Sequence, residues 1–279
     1  MTQLPGTHTK ESAMILQDKN AVIYGGGGAI GGAMARVFAR EGARVFLAGR
    51  TKARLDAVAA DIAAAGGHAE TAQVDALDQR AVDEHADAVA SKVGGIDIAV
   101  DAISVMHDQG TVLADLSLQE FMRPIDGYLR TLFITSKAVA RHMGGARPGV
   151  IMTLSEPGAK LAIGGILGHA VSSAGKEVFS RILAAELAAS HIRVICIRPH
   201  ALADGPASGS YTKELFEPAA TALGQSVEEW MAGLADSTML KRLPTASDVA
   251  ETAAFLASDR ARAMTGTVAN LTGGAIADC

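Results

Sequence analysis

Ala21-Val22-Ile23-Tyr24-Gly25-Gly26-Gly27-Gly28-Ala29-Ile30-Gly31-Gly32 joins a short apolar run to a glycine-rich turn, and Ala33, Met34, Val37 and Phe38 continue from Ile30 at helical spacing. A buried strand, a turn without side chains and a helix therefore follow one another directly. That order is what a phosphate group needs, because it must reach backbone N–H groups at a helix N-terminus and side chains would block it. A glycine run alone is a weak signal; the strand before it and the helix after it make a dinucleotide site the expected reading.

The pattern repeats outward from this unit. Val45-Phe46-Leu47-Ala48 is a second apolar run, and Leu55, Val58, Ala59 and Ile62 mark a helix that Gly66-Gly67 stops. Strands are predicted over 71–74, 96–100, 150–154, 192–197 and 267–271. Helices are predicted up to about Val93, over 118–143 with a bend near Pro124, over 173–190, and around Val249, Thr252, Ala253 and Leu256. Regular alternation of this kind implies an α/β single-domain Rossmann fold: a doubly wound parallel sheet of about seven strands with helices on both faces. Residues 1–15 lack an apolar core segment and read as a flexible N-terminal tail, which leaves 16–279 as the domain. The stretch 201–241 breaks the rhythm; it reads either as a substrate lid or as a surface helical pair.

Composition narrows the function. The chain has 279 residues, 49% of them hydrophobic, a formal net charge of −5 and two cysteines, Cys196 and Cys279. A core of this size needs no disulfide or metal, and a reducing, cytoplasmic setting fits two cysteines of which one ends the chain. Acidic balance and scattered cations argue against nucleic acid as a partner. The mean hydropathy of +0.22 comes from many alanines, and no run of about 18 uncharged apolar residues predicts a membrane span. His, Cys and acids show no metal-ligand spacing, and no Gly-x-Ser-x-Gly elbow points to a hydrolase.

At the end of the second strand, Leu47-Ala48-Gly49-Arg50-Thr51 puts glycine where an NAD-binding chain carries an acid for the ribose 2′-OH, with Arg50 next. Glycine leaves room for a 2′-phosphate and a guanidinium pairs with it, so NADP(H) is expected over NAD(H). The alternative is that Arg50 merely starts the next helix.

These residues resemble the short-chain dehydrogenase/reductase family, whose first signature is Thr-Gly-x-x-x-Gly-x-Gly. Tyr24 and Ala29 stand for its threonine and middle glycine. Val74-Asp75-Ala76 resembles the segment that contacts adenine. Asp101-Ala102-Ile103-Ser104 replaces the family's Asn-Asn-Ala-Gly after the fourth strand. Ala174-Gly175-Lys176, Leu183-Ala184-Ala185-Glu186-Leu187 and Phe255-Leu256-Ala257-Ser258-Asp259 extend the likeness over nearly the whole domain. The resemblance implies cofactor contacts at Gly25, Gly28, Ala29, Ile30, Gly31, Arg50, Thr51, Asp75, Ala76, Ala102 and Lys176. It also implies a small-molecule substrate and a homodimer or homotetramer paired through the two long helices.

The family's catalytic Asn, Ser, Tyr and Lys fall on Tyr128, Glu156 (beside Ser155), Ser172 and Lys176, so only the lysine is retained. Pro199-His200 stands where the family has Pro-Gly. A serine hydroxyl is too weak an acid to replace the phenol, so Ser172 is expected to orient a substrate oxygen or relay a proton. Dienoyl-CoA reductases of the family also carry Ser-x-x-x-Lys, with their tyrosine upstream at a position that aligns with Ser155. The expected catalytic set is Tyr128, Ser155, Ser172 and Lys176. Tyr128 is either a relocated acid or a packing residue, His169 and Glu156 are further candidates, and the chain is either an NADP(H)-dependent oxidoreductase acting on a carbonyl or enone, or a non-redox protein of the same fold.

Overall fold

Strand β1 (Asn20–Tyr24) is buried along its whole length. Its side chains alternate between two cores: Ala21 and Ile23 join one cluster, Val22 and Tyr24 the other. β2 (Arg44–Gly49) divides likewise, Val45 and Leu47 to one side, Phe46 and Ala48 to the other. A strand with no polar face must be covered twice, and the period-2 geometry of the backbone does the sorting.

The computed structural model describes residues 14–145, 147–205 and 210–277. After β1 and β2 come β3 (His68–Gln73), β4 (Ile98–Asp101), β5 (Gly149–Leu154), β6 (Ile192–Pro199) and β7 (Thr267–Leu271), in the parallel order β3-β2-β1-β4-β5-β6-β7. α1 (Ala29–Arg40), α2 (Lys52–Ala64) and α8 (Ala246–Ala257) supply the core on one face; α3 (Gln79–Val93), α4 (Leu118–Ala140) and α5 (Leu167–Leu187) supply it on the other. α6 (Thr212–Ala222) and α7 (Val227–Ser237) fall in the segment whose rhythm differs. The expected tail lies outside the described residues up to 13; from there Ile15 packs against the core and its N–H donates to Glu41 Oε2 at 3.3 Å.

The order reverses between β1 and β4, and the register Tyr24↔Asp101 aligns their C-terminal ends. A crevice opens at such a switch point, because the two connections leave in opposite directions.

α4 is one long helix through Pro124, as the sequence predicts, and its first turn is held by a capping box of Ser117 and Glu120. α5 begins at Leu167 rather than Ser173, so His169 and Ser172 lie in a helix and not in a glycine-flanked loop. Gly168 explains this: an added Cβ would stand 2.5 Å from the Phe121 carbonyl oxygen, so its bare backbone lets the first turn of α5 pack on α4. Packing there overrides glycine's poor helix propensity.

Candidate active site

One cavity of about 1100 Å³ runs from the glycine turn, along the C-terminal ends of the strands, to α6 and α7. At its nucleotide end the turn is fixed by close backbone approaches. Gly25 has φ +81°, and a Cβ on it would lie 2.4 Å from Ala102 O; a Cβ on Gly31 would lie 2.3 Å from Gly25 O. Both positions must therefore be glycine. α1 starts at N-cap Gly28 with no side-chain cap, leaving its first N–H groups to face the cavity. This bare helix terminus in a side-chain-free cradle fits a dinucleotide pyrophosphate, which it can bind through N–H groups and the positive end of the helix dipole.

Gly25, Gly28, Ala29, Ile30, Arg50, Thr51, Asp75, Ala76, Ala102 and Lys176 all line this cavity, as the sequence led us to expect. Gly31 lies behind the turn instead, packed on Gly25. Thr51 is the N-cap of α2 and makes no side-chain cap bond, and Asp75 accepts the Leu77 N–H at 3.0 Å. Gly49 leaves space, since a Cβ there would meet nothing closer than Leu55 at 3.5 Å. Arg54, one helical turn after Arg50, also borders the site and was missed; its i, i+4 spacing from Arg50 was the signal available.

At the other end Glu156, Ser173, Lys176 and Tyr128 assemble into a network. Lys176 Nζ is 2.8 Å from both carboxylate oxygens of Glu156, and Ser173 Oγ donates to Glu156 Oε2 at 2.6 Å. Burial opposes the Glu156 charge, but Lys176 and the neighbouring His169 outweigh it and hold the carboxyl down to about 2. Burial likewise opposes the Lys176 charge, and Glu156 reverses that, raising the lysine above its ordinary value. The ammonium also sits 4.0 Å above the centroid of the Tyr128 ring.

Tyr128 borders the cavity, yet its hydroxyl is 3.3 Å from both the N–H and the carbonyl of Val105. Burial, and after it the Glu156 charge, push the phenol's pKa up. Ser155 Oγ donates to Glu177 Oε1 at 2.6 Å, and Glu177 is held in turn by buried Arg198 at 2.7 Å. Ser172 is fully buried, does not line the cavity, and donates to its own helix at His169 O, 2.8 Å away. No described hydrogen bond joins Tyr128, Ser155 and Ser172, so the structure does not gather them around one substrate oxygen.

His107 and His169 both line the cavity. Their rings stack at 4.7 Å with planes 6° apart. Only topology brings the loop after β4 against the start of α5, so no local pattern signalled the pair. Apolar side chains, among them Ile163, Ile166, Leu215, Phe216 and Leu234, complete the substrate end.

Residues 27–275 match the family described as Enoyl-(Acyl carrier protein) reductase. The chain belongs to the short-chain dehydrogenase/reductase family of oxidoreductases. It is 30% identical over 259 residues to 3-oxoacyl-acyl-carrier-protein reductase of Chlamydia pneumoniae, covering 93% of this chain and 97% of that one. It is 28% identical over 246 residues to 2,3-dihydro-2,3-dihydroxybenzoate dehydrogenase of Bacillus subtilis, covering 88% and 91%. Among solved structures, a short-chain dehydrogenase of Burkholderia cenocepacia in complex with NADP superposes with a TM-score of 0.78 at 28% identity, over 94% of this chain and all of that one. No described helix is long and apolar enough to cross a membrane.

Proposed function

We propose that this short-chain dehydrogenase/reductase uses NADP(H) to move a hydride to or from a carbonyl or enone carbon of a small apolar substrate. One observation carries the reading: a single cavity of about 1100 Å³ joins the glycine cradle to a charged centre and an apolar wall. A dinucleotide laid along the strand ends would have its pyrophosphate at the N-terminus of α1, its 2′-phosphate beside Arg50 and Arg54, and its adenine beside Asp75 and Ala76. When bound, the nicotinamide supplies or accepts the hydride. Lys176, fixed by Glu156 and the Tyr128 ring, gives that end a positive charge of constant position. Ile163, Ile166, Phe216 and Leu234 exclude water and take an apolar body, and the covering role expected of 201–241 goes to α6 and α7. The Burkholderia relative's NADP complex supports the cofactor choice.

Two further parts of the reading follow from family resemblance. Phe133 on α4 and Val178 and Ile182 on α5 are about half exposed, which suits pairing of these helices in a homodimer or homotetramer. Cys196 is a buried free thiol, which suits a reducing cytoplasm.

A non-redox activity is the second reading. It is favoured by Glu156, whose carboxylate occupies the lysine that family members pair with a tyrosine. The discriminating experiment is titration with NADPH and NADH, followed by absorbance-monitored NADPH oxidation against a panel of ketones and enones. Tighter binding of NADPH with turnover supports the oxidoreductase. Tight binding without turnover on any of the panel moves the assignment to the second reading, and tighter binding of NADH refutes the cofactor choice.

A further inference from the structure

The usual phenol donor is replaced by Ser172, and each hydroxyl expected to substitute for it is already engaged. Tyr128 is held by Val105, Ser155 by Glu177, and Ser172 by the His169 carbonyl. His169 differs from all three. It is 8% exposed, lines the cavity, and its Nδ1 is buried without a hydrogen-bond partner. A buried unpartnered nitrogen costs about 1–3 kcal/mol, which a ligand oxygen offsets once a turn of the ring carries that nitrogen to the cavity.

The surroundings tune what such a bond would do. His107 cannot share the task, because both its nitrogens are occupied: Nδ1 lies 2.7 Å from Val105 O and Nε2 3.0 Å from the Gln109 amide nitrogen. It stacks flat against His169 and fixes that ring's plane. From the 3-10 turn after β5, Gly158 comes so close that a Cβ would lie 2.9 Å from His169 Cδ2. The charged and titratable groups bearing on His169 are Glu156 from the end of β5, His107 from the loop after β4 and Lys176 from α5. Burial keeps the free imidazole neutral, so it is a ready acceptor. Once protonated, it is stabilised by the Glu156 carboxylate.

We propose that His169 is the catalytic residue that exchanges a proton with the substrate oxygen. In the oxidation direction, the carbinol C–H electron pair leaves as hydride for the nicotinamide, the C–O bond becomes a carbonyl, and the hydroxyl proton passes to the His169 imidazole. Reduction runs the same transfers backwards, with the imidazolium as acid. This assignment rests on the oxidoreductase reading given above.

The test compares wild type with His169→Asn, which keeps a polar amide but cannot carry the proton. NADP⁺-dependent oxidation of a panel of alkyl and aryl secondary alcohols is followed against pH, NADPH Kd is measured by fluorescence, and ring-nitrogen NMR follows the histidines of the free protein. We expect His169→Asn to lower kcat about 10²- to 10⁴-fold, to leave NADPH Kd within about threefold, and to abolish the acidic-limb ionisation seen in the wild-type oxidation profile. His107→Asn should shift that ionisation and retain it. If His169→Asn does not fold, Gly158→Ala displaces the same ring and should lower kcat at unchanged NADPH Kd. A His169→Asn protein that keeps its kcat and its ionisation overturns the assignment alone. Wild type that binds NADPH, oxidises no alcohol and reduces no ketone or enone removes the redox reading and this assignment together; wild type that reduces only enones overturns this assignment alone.

Discussion

Lys176 Nζ stands 2.8 Å from both carboxylate oxygens of Glu156 and 4.0 Å above the ring of Tyr128. Ser172, one helical turn before Lys176 on α5, donates instead to its own helix at His169 O. Glu156 supplies the buried ammonium with a counter-charge and Tyr128 an aromatic face, so the two together form one local solution to a single buried cation.

Glu156→Gln should destabilise the fold by about 3 kcal/mol, because removing one partner of a buried pair leaves the other charge uncompensated. Lys176 is 5% exposed at its side chain, and among the described residues Glu156 is the carboxylate it pairs with directly. Urea denaturation of the variant and wild type at neutral pH measures this, and an unchanged midpoint would show that the pair is stabilising nothing.

Arg50→Glu should weaken NADPH binding at least about tenfold and leave NADH binding nearly unchanged, since a charge-assisted contact to the 2′-phosphate would become a repulsion. Arg54→Glu should act in the same direction, as it borders the same end of the cavity. Fluorescence titration with both dinucleotides provides the comparison. Equal loss for the two would place the arginines away from the 2′-phosphate.

The fold was readable because its information is local. β1 and β2 are short, apolar after their first residues Asn20 and Arg44, and run out into glycine, and alternation with helices forces a covered parallel sheet. The nucleotide end was readable for the same reason: Gly25, Gly28, Arg50 and Asp75 each sit at a strand end, where position in the sequence dictates position in space. The chemical end was not. His107 and His169 are 62 positions apart in the chain, and only the packing of the loop after β4 on α5 stacks them. Glu156 was noticed as a departure, but its pairing with Lys176 depends on side-chain reach. Ser172 had the right register and the wrong environment, because α5 starts early enough to give its hydroxyl a carbonyl within the helix.

Phe133→Glu combined with Ile182→Glu should convert the expected homodimer or homotetramer into monomers, with NADPH affinity retained. Both side chains stand on the long helices at about half exposure, and neither is among the residues that line the cavity. Light scattering of wild type and variant decides it; a monomeric wild type would refute the expected pairing outright.

Acid should weaken the fold between pH 6.5 and 4, and histidines are the cause. Burial pushes His85 and His169 down to about 4, and lowers His107 and His200 as well. In that window the unfolded chain binds protons that the folded chain refuses, so stability rises with pH and is lost as pH falls. Each of His85 and His169 then contributes a loss of about 2 kcal/mol between pH 6.5 and 5. Asp101 works the other way: burial raises its carboxyl to about 6, so it binds its proton in the folded state first and returns about 1 kcal/mol over the same interval. The histidines outnumber it, and the net slope keeps their sign. Thermal unfolding at pH 7 and pH 5 should therefore show a lower Tm in acid. His85→Phe should flatten the dependence and Asp101→Asn should steepen it. A Tm that rises on acidification would mean that the histidines are protonated and solvated in the folded protein, contrary to the burial seen around His169.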